Sequence, residues 1–207
     1  MFQKITELLP DQACFPGREG QMIVSGKHLV KGTYYIEPFP SSTKSVLLGM
    51  GCFWGAERLF WQLGGVYTTA VGYAGGLTKN PSYEEVCSGY TNHTEVVMVV
   101  YEPEELGLEV LLKTFWQEHD PTQGMRQGND KGTQYRSAIY VDDDSDMQIA
   151  VQSRASYQEK LSDAAKGQIT TEIRLDQSFY YAEENHQQYL HTNPNGYCGL
   201  AGCGVHY

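Results

Sequence analysis

The chain has 207 residues, 41% of them hydrophobic, and 15 Lys and Arg against 25 Asp and Glu, a formal net charge of −10. That length suits one domain or one domain with an extension, and the negative balance argues against a nucleic-acid footprint or an anionic membrane surface. No stretch reaches transmembrane length, the start Met1-Phe2-Gln3-Lys4 lacks the apolar core of a secretory signal, and the five cysteines form neither an even scaffold nor a C-x-x-C, so the expected compartment is the reducing cytosol.

In chain order, residues 1–44 contain Pro10, Pro16, Pro38, Pro40 and the polar run Ser41-Ser42-Thr43-Lys44. They read as an extension with little regular structure, lying on a main domain of residues 45–207. An apolar run predicts a strand over 45–50, and Leu59, Phe60 and Leu63 recur at helical spacing within a predicted helix 55–63. A strand is expected at 68–74 and a short helix at 82–88, with Tyr83 read by itself as a packing residue and Cys87 as core. The strand 94–101 is apolar on both faces, as in a central strand covered on both sides, or covered by helices on one side and the extension on the other. A helix at 106–119 leads to a long polar loop, Glu118 to Ser137, in which Asp130, Gln134 and Tyr135 offer hydrogen-bonding groups. A strand at 137–141, a helix at 143–165, a strand at 170–175 and a helix at 182–190 follow. The tail 193–207 is rich in glycine and is expected to be a mobile loop. Strands alternating with helices imply an α+β fold with a mixed sheet, and two β-α-β units joined in one sheet give a ferredoxin-like sandwich.

Cys52 lies between Gly51 and Gly55 at the strand-to-helix turn. Unpaired N–H groups at a helix start carry partial positive charge, which favours thiolate over thiol and makes a cysteine nucleophilic. The glycines give a substrate close access, and Phe53 and Trp54 place apolar surface beside the sulfur. The alternative is a buried packing thiol. Glu95 shares a strand face with Val97, Val99 and Tyr101. It is either a buried acid, kept protonated near neutrality by desolvation, or an exposed glutamate at a strand end. Cys198 and Cys203 sit in the tail, where a thiol can reach an oxidised cysteine and form a disulfide; either is otherwise a surface cysteine without a role. A metal site from His191, Cys198, Cys203 and His206 has spacings that match no common zinc pattern, and His186 and His191 read as structural or surface residues.

Several collinear motifs then point to a family. Gly51-Cys52-Phe53-Trp54-Gly55 resembles the nucleophile motif of the A-type peptide methionine sulfoxide reductases. The resemblance continues at Val71-Gly72-Tyr73-Ala74-Gly75-Gly76, at Asn80 to Gly89, at His93-Thr94-Glu95, through His119-Asp120-Pro121 to Ser137, and at His186-Gln187-Gln188-Tyr189-Leu190 and Gly196-Tyr197-Cys198-Gly199, covering about residues 45 to 200.

The resemblance implies roles. Cys52 attacks the sulfoxide sulfur; Phe53 and Trp54 receive the S-methyl group; Glu95 protonates the sulfoxide oxygen. Tyr83 and Tyr135 donate hydroxyls to that oxygen, Asp130 is a polar residue of the site, and Cys198 is the resolving cysteine. It further implies the S epimer of methionine sulfoxide in oxidised proteins or peptides as substrate, thioredoxin as external reductant, no metal or bound organic cofactor, a ferredoxin-like core and a monomer. The chain departs from one pattern: the candidate second recycling cysteine, Cys203, follows Cys198 by only five residues. A thiol peroxidase, with the same nucleophile and resolver, is the competing enzymatic reading.

Overall fold

The computed structural model describes residues 4–207. Its main sheet has six strands: β1 (Lys44–Met50), β2 (Val66–Ala74), β3 (Thr94–Tyr101), β6 (Ser137–Val141), β7 (Glu172–Leu175) and β8 (Tyr180–Tyr181). Across the sheet they run β7-β6-β1-β3-β2-β8. The inner four, β6-β1-β3-β2, are antiparallel throughout. With α1 (Phe53–Trp61) joining β1 to β2 and α3 (Leu108–Glu118) between β3 and β6, they form the ferredoxin-like βαββαβ arrangement. The long helix α4 (Asp144–Asp163) carries the chain from β6 to β7, which pairs parallel, whereas β8 closes the other edge antiparallel to β2; the sheet is therefore mixed.

Alternation along the strands divides the core. Val46, Leu48, Val97, Val99, Tyr101 and Ile139 face the helices, where Phe60, Leu111, Phe115, Trp116 and Tyr157 complete one cluster. Leu47, Ala70, Val96, Met98, Val100 and Tyr140 face the other way, beneath Val24, Tyr35 and Phe39 of the extension. All eight residues of β3 are buried, because helices cover one side and the irregular extension covers the other.

Two expectations need correction. The helix expected at 182–190 is instead the end of β8, a 3-10 turn Glu184–His186, a left-handed Gln188 (φ 46°) and a four-residue helix α5 (Tyr189–Thr192). The reason is tertiary. The Gln187 side-chain amide accepts from Val71 N–H and donates to the carbonyls of Val71 and Ala182, continuing the sheet edge with a side chain in place of a strand. The tail 193–207 has no helix or strand, as its glycines suggest, yet it is seated on the domain. Leu200, Cys203, Val205 and Tyr207 pack on the core, Tyr157 donates to the Val205 carbonyl, and Gln127 donates to the Ala201 carbonyl.

Candidate active site

Cys52 is the N-cap of α1, half-buried where β1 ends. Gly51 holds φ at +90°, a left-handed conformation suited to glycine, and a Cβ there would stand 2.5 Å from Cβ of Gln127. At Gly55, one helical turn beyond Cys52, a Cβ would stand 2.6 Å from Sγ of Cys198. The two glycines therefore make room for the protein's own Gln127 and Cys198, rather than for a substrate.

The expected thiolate is also corrected. Burial, followed by the neighbouring Glu95 carboxyl, pushes the Cys52 thiol well above its ordinary range, and the Trp54 N–H pulls only weakly the other way. The desolvation cost of the charged sulfur outweighs the partial charge of the helix start, so the resting group is a thiol.

Glu95 projects from β3 under that same helix start and is 2% exposed. Its Oε2 accepts the Phe53 N–H at 3.0 Å. Burial raises its pKa to about 8; the Phe53 N–H opposes the rise and the nearby Asp130 adds to it. The acid is therefore protonated at neutral pH, and Glu95 loses its repulsion of a Cys52 thiolate there.

A cavity of about 150 Å³ joins these groups. Cys52, Phe53, Trp54 and Glu95 line one part of it, and Tyr83, Asp130, Tyr135 and Tyr197 the rest. Burial, with Cys87 next at Tyr83 and Glu95 next at Tyr135, raises both phenols, so both keep their protons and can donate. Asp130 is held at the cavity by a two-stranded hairpin, β4 (Arg126–Gln127) and β5 (Asp130–Lys131), whose turn places Gly128 at φ 57°. Its Oδ2 accepts the Tyr197 hydroxyl at 3.0 Å.

Residues that sequence reasoning did not place hold this wall. Trp54 donates its indole N–H to His186 Nδ1 at 3.2 Å and stacks on Tyr189 at 4.0 Å. Burial lowers the His186 pKa, which favours the neutral ring that can accept from Trp54. His186 also packs on Phe53 and Tyr83, so one imidazole fixes three rings of the cavity. Glu183 accepts the Tyr83 backbone N–H and the Tyr73 hydroxyl, tying α2 (Tyr83–Ser88) to the sheet. Tyr197 had no signal beyond its place in the Gly-Tyr-Cys-Gly motif.

The remaining cysteines part company. Cys198 lies on α1 at Gly55, beside the turn that carries Cys52. Cys203 lies on the far side of the tail, its sulfur 3.5 Å from the Tyr157 hydroxyl and packed on the helical core. Cys87, expected in the core, is exposed on α2. Among the described residues, no three or more His, Cys, Asp or Glu side chains group together so as to hold a metal, and no helix is long and apolar enough to cross a membrane.

Comparison with known proteins agrees with the motifs. The family model for peptide methionine sulfoxide reductase matches residues 44–203. The human mitochondrial peptide methionine sulfoxide reductase is 58% identical over 205 residues, covering 99% of this chain and 87% of its own. The peptide methionine sulfoxide reductase MsrA of Methylococcus capsulatus is 57% identical over 205 residues, 99% of this chain and 92% of its own. Among solved structures, methionine sulfoxide reductase A of Corynebacterium diphtheriae superposes with a TM-score of 0.87 at 44% identity, covering 97% of this chain and all of that one.

Proposed function

This chain belongs to the peptide methionine sulfoxide reductases, a family of oxidoreductases, and we propose the route by which it reduces methionine sulfoxide in oxidised proteins and peptides. One observation carries the proposal: a single small cavity holds the Cys52 sulfur, a neutral buried acid, two phenol donors and an apolar wall.

The S-methyl group rests on Phe53 and Trp54, and the sulfoxide oxygen receives hydrogen bonds from Glu95, Tyr83 and Tyr135. Donors aimed at the oxygen stabilise the charge that builds there as the S–O bond breaks. The Cys52 sulfur attacks the sulfoxide sulfur. The oxygen and both oxidising equivalents end on Cys52 as a sulfenic acid, and methionine leaves reduced. The Cys198 thiol then attacks that sulfenic acid, water departs, and a disulfide forms; an external dithiol, proposed to be thioredoxin, restores both thiols by exchange. Cys203 is the proposed second recycling cysteine, a role that requires the tail to leave Tyr157. Asp130 orients the Tyr197 hydroxyl at the rim.

In this reading residues 45–207 carry the chemistry as one domain, with residues 1–44 as its extension. The enzyme acts on the S epimer, as a monomer and without bound cofactor. It requires a thiol-reducing compartment, a condition that the cytosol and the mitochondrial matrix both meet.

The test is a single-turnover reaction of each separated epimer of a methionine sulfoxide peptide, without reductant, followed by mass mapping of the cysteines. The expected result is reduced peptide from the S epimer and a Cys52–Cys198 disulfide, or Cys198–Cys203 if the second cysteine relays. Reduced peptide from neither epimer overturns the route.

A further inference from the structure

A second cavity, about 960 Å³, adjoins the catalytic one and shares Tyr83 and Tyr135 with it. One side is the C-terminal end of α2 and the turn after it, at Cys87 and Tyr90; the other is the start of the extension, at Ile5 and Phe15. That second wall is a built feature. The Ile5 carbonyl accepts the Thr133 N–H, the buried Asn92 side chain exchanges two hydrogen bonds with the Leu9 backbone, and Phe15 N–H donates to the Tyr90 carbonyl. Gly89 ends α2 in the left-handed region, and a Cβ there would stand 2.8 Å from Cβ of Ile5. On the extension's side these hydrogen bonds are all made by the main chain, which leaves the Phe15 ring free to face the groove.

What faces the groove is mostly apolar, with Lys4, Glu84 and Lys131 also in its lining, and its aromatic side is part open to water. Phe15 is 39% exposed and Tyr90 43%, with ring centroids 5.6 Å apart. Two adjoining aromatic rings left in solvent beside a catalytic cavity mark a contact surface better than scattered apolar residues do. Size gives the occupant. About 150 Å³ accommodates the tip of one side chain, whereas about 960 Å³ lies in the range of sites that enclose a whole ligand. A polypeptide whose oxidised methionine enters the small cavity must pass the rest of its chain over the rim, and the shared tyrosines make this groove continuous with that rim.

We propose that the groove binds the residues flanking the methionine sulfoxide of an oxidised polypeptide, and that Phe15 and Tyr90 favour chains with a large apolar residue there. The inference rests on the reductase reading and deepens it by assigning the extension to substrate selection.

Calorimetric binding to the Cys52→Ser chain tests it without turnover. The probes are short peptides carrying one methionine sulfoxide, flanked on either side by Phe or by Gly. The Phe-flanked peptides should bind roughly five- to tenfold more tightly, the effect of one well-packed aromatic contact. Phe15→Ala in that background should erase the difference, and Tyr90→Ala gives the same reading should Phe15→Ala melt early. Equal affinity for the Phe and Gly peptides, or a difference that survives both variants, overturns the groove. So does a difference that survives while Phe15→Ala in the chain with Cys52 intact weakens only recycling by thioredoxin, because the groove would then serve the reductant. Failure of the reductase reading shows separately, as wild-type protein that turns over neither these peptides nor N-acetyl-methionine sulfoxide.

Discussion

The first and second turns of α1 each stand on a buried glutamate, and the two sites are built for different ends. Under the second turn, Glu57 is fully buried, with both oxygens occupied: Oε1 accepts from the Thr69 hydroxyl and the Gln188 side-chain amide, and Oε2 accepts the Gln188 N–H. Under the first turn, Glu95 is just as deep but has the Phe53 N–H as its hydrogen-bond donor and otherwise faces the cavity. Neither is in an ion pair among the described residues. Burial raises Glu57 to about 7, against three hydrogen bonds that hold it down, and raises Glu95 to about 8 against one. The saturated carboxyl is a strut that fixes the left-handed Gln188 and, through it, the segment carrying His186 and Tyr189 onto Trp54. The under-bonded one keeps its proton at the cavity, as the proposed acid requires.

The largest effect should come from removing that proton. Glu95→Gln keeps the shape and the bond from Phe53 but cannot supply an acid, so sulfoxide reduction should fall about 10²–10⁴-fold at neutral pH, with substrate binding much less affected. In the wild type, the rate of sulfoxide reduction should decline as pH rises through about 8, where Glu95 loses its proton, and the variant should lack that limb. A variant with the wild-type rate would make Glu95 a second strut and erase the contrast.

Gly55 lies between the two turns and faces outward, toward the tail. Alanine suits a helix better than glycine, so Gly55→Ala tests geometry against propensity. Its Cβ would meet the Cys198 sulfur at 2.6 Å and Cβ of Leu200 at 3.2 Å, forcing the tail off the helix. Single-turnover reduction should be preserved, while steady-state turnover with thioredoxin should fall roughly ten- to a hundredfold, as expected for a misplaced reacting group. If both rates hold, Cys198 does not resolve Cys52 from its position on α1.

How much of this was legible in the sequence follows the same division. Strand β3, with its unbroken Val-Val-Met-Val-Val, announced a strand buried on both faces, and the apolar run into Cys52 announced the strand-to-helix turn. Those are local signals, carried by periodicity. The segment 182–190 misled because its acidic start and its Gln187-Gln188 pair suit a helix, and nothing local shows that Glu183, Gln187 and Gln188 are each bound by a distant element: Tyr73 and Tyr83, Val71, and Glu57. Tertiary contacts override propensity there. Tyr197 and the seating of the tail were hidden for the same reason, since a glycine-rich stretch states what it cannot form and not what it rests on. The thiolate expected at Cys52 failed on magnitude: the helix-start effect is worth about 1 kcal/mol, less than the cost of desolvating a charged sulfur.

The strut itself gives the smallest effect on chemistry and the sharpest on stability. Glu57→Gln turns an amide N–H₂ toward the donors of Gln188, which leaves a buried donor unmatched at a cost of about 1–3 kcal/mol. Sulfoxide reduction should change a few-fold at most, because Glu57 acts on the cavity only through Gln188 and the residues it positions. The pH dependence separates this from ordinary destabilisation. Glu57 and Glu95 have folded pKa values of about 7 and 8, above their ordinary 4.5, so the folded chain holds more protons than the unfolded one in those windows and stability falls as pH rises through them. The buried His28, His93 and His119 act in the opposite sense: burial lowers each from 6.5 to about 4, so stability is gained as pH rises from 4 to 6.5. With His186, also lowered by burial, these histidines outweigh the two carboxyls below 6.5 and lose their effect above it, so the thermal midpoint should rise toward pH 6.5 and fall beyond it. In Glu57→Gln one of the two falling contributions is gone. The stability gap to the wild type should therefore be widest near pH 4.5 and narrow until about pH 7, above which it stays level. A gap that stays constant across that range would mean that Glu57 is ionised throughout, and that its three hydrogen bonds, rather than burial, decide its charge.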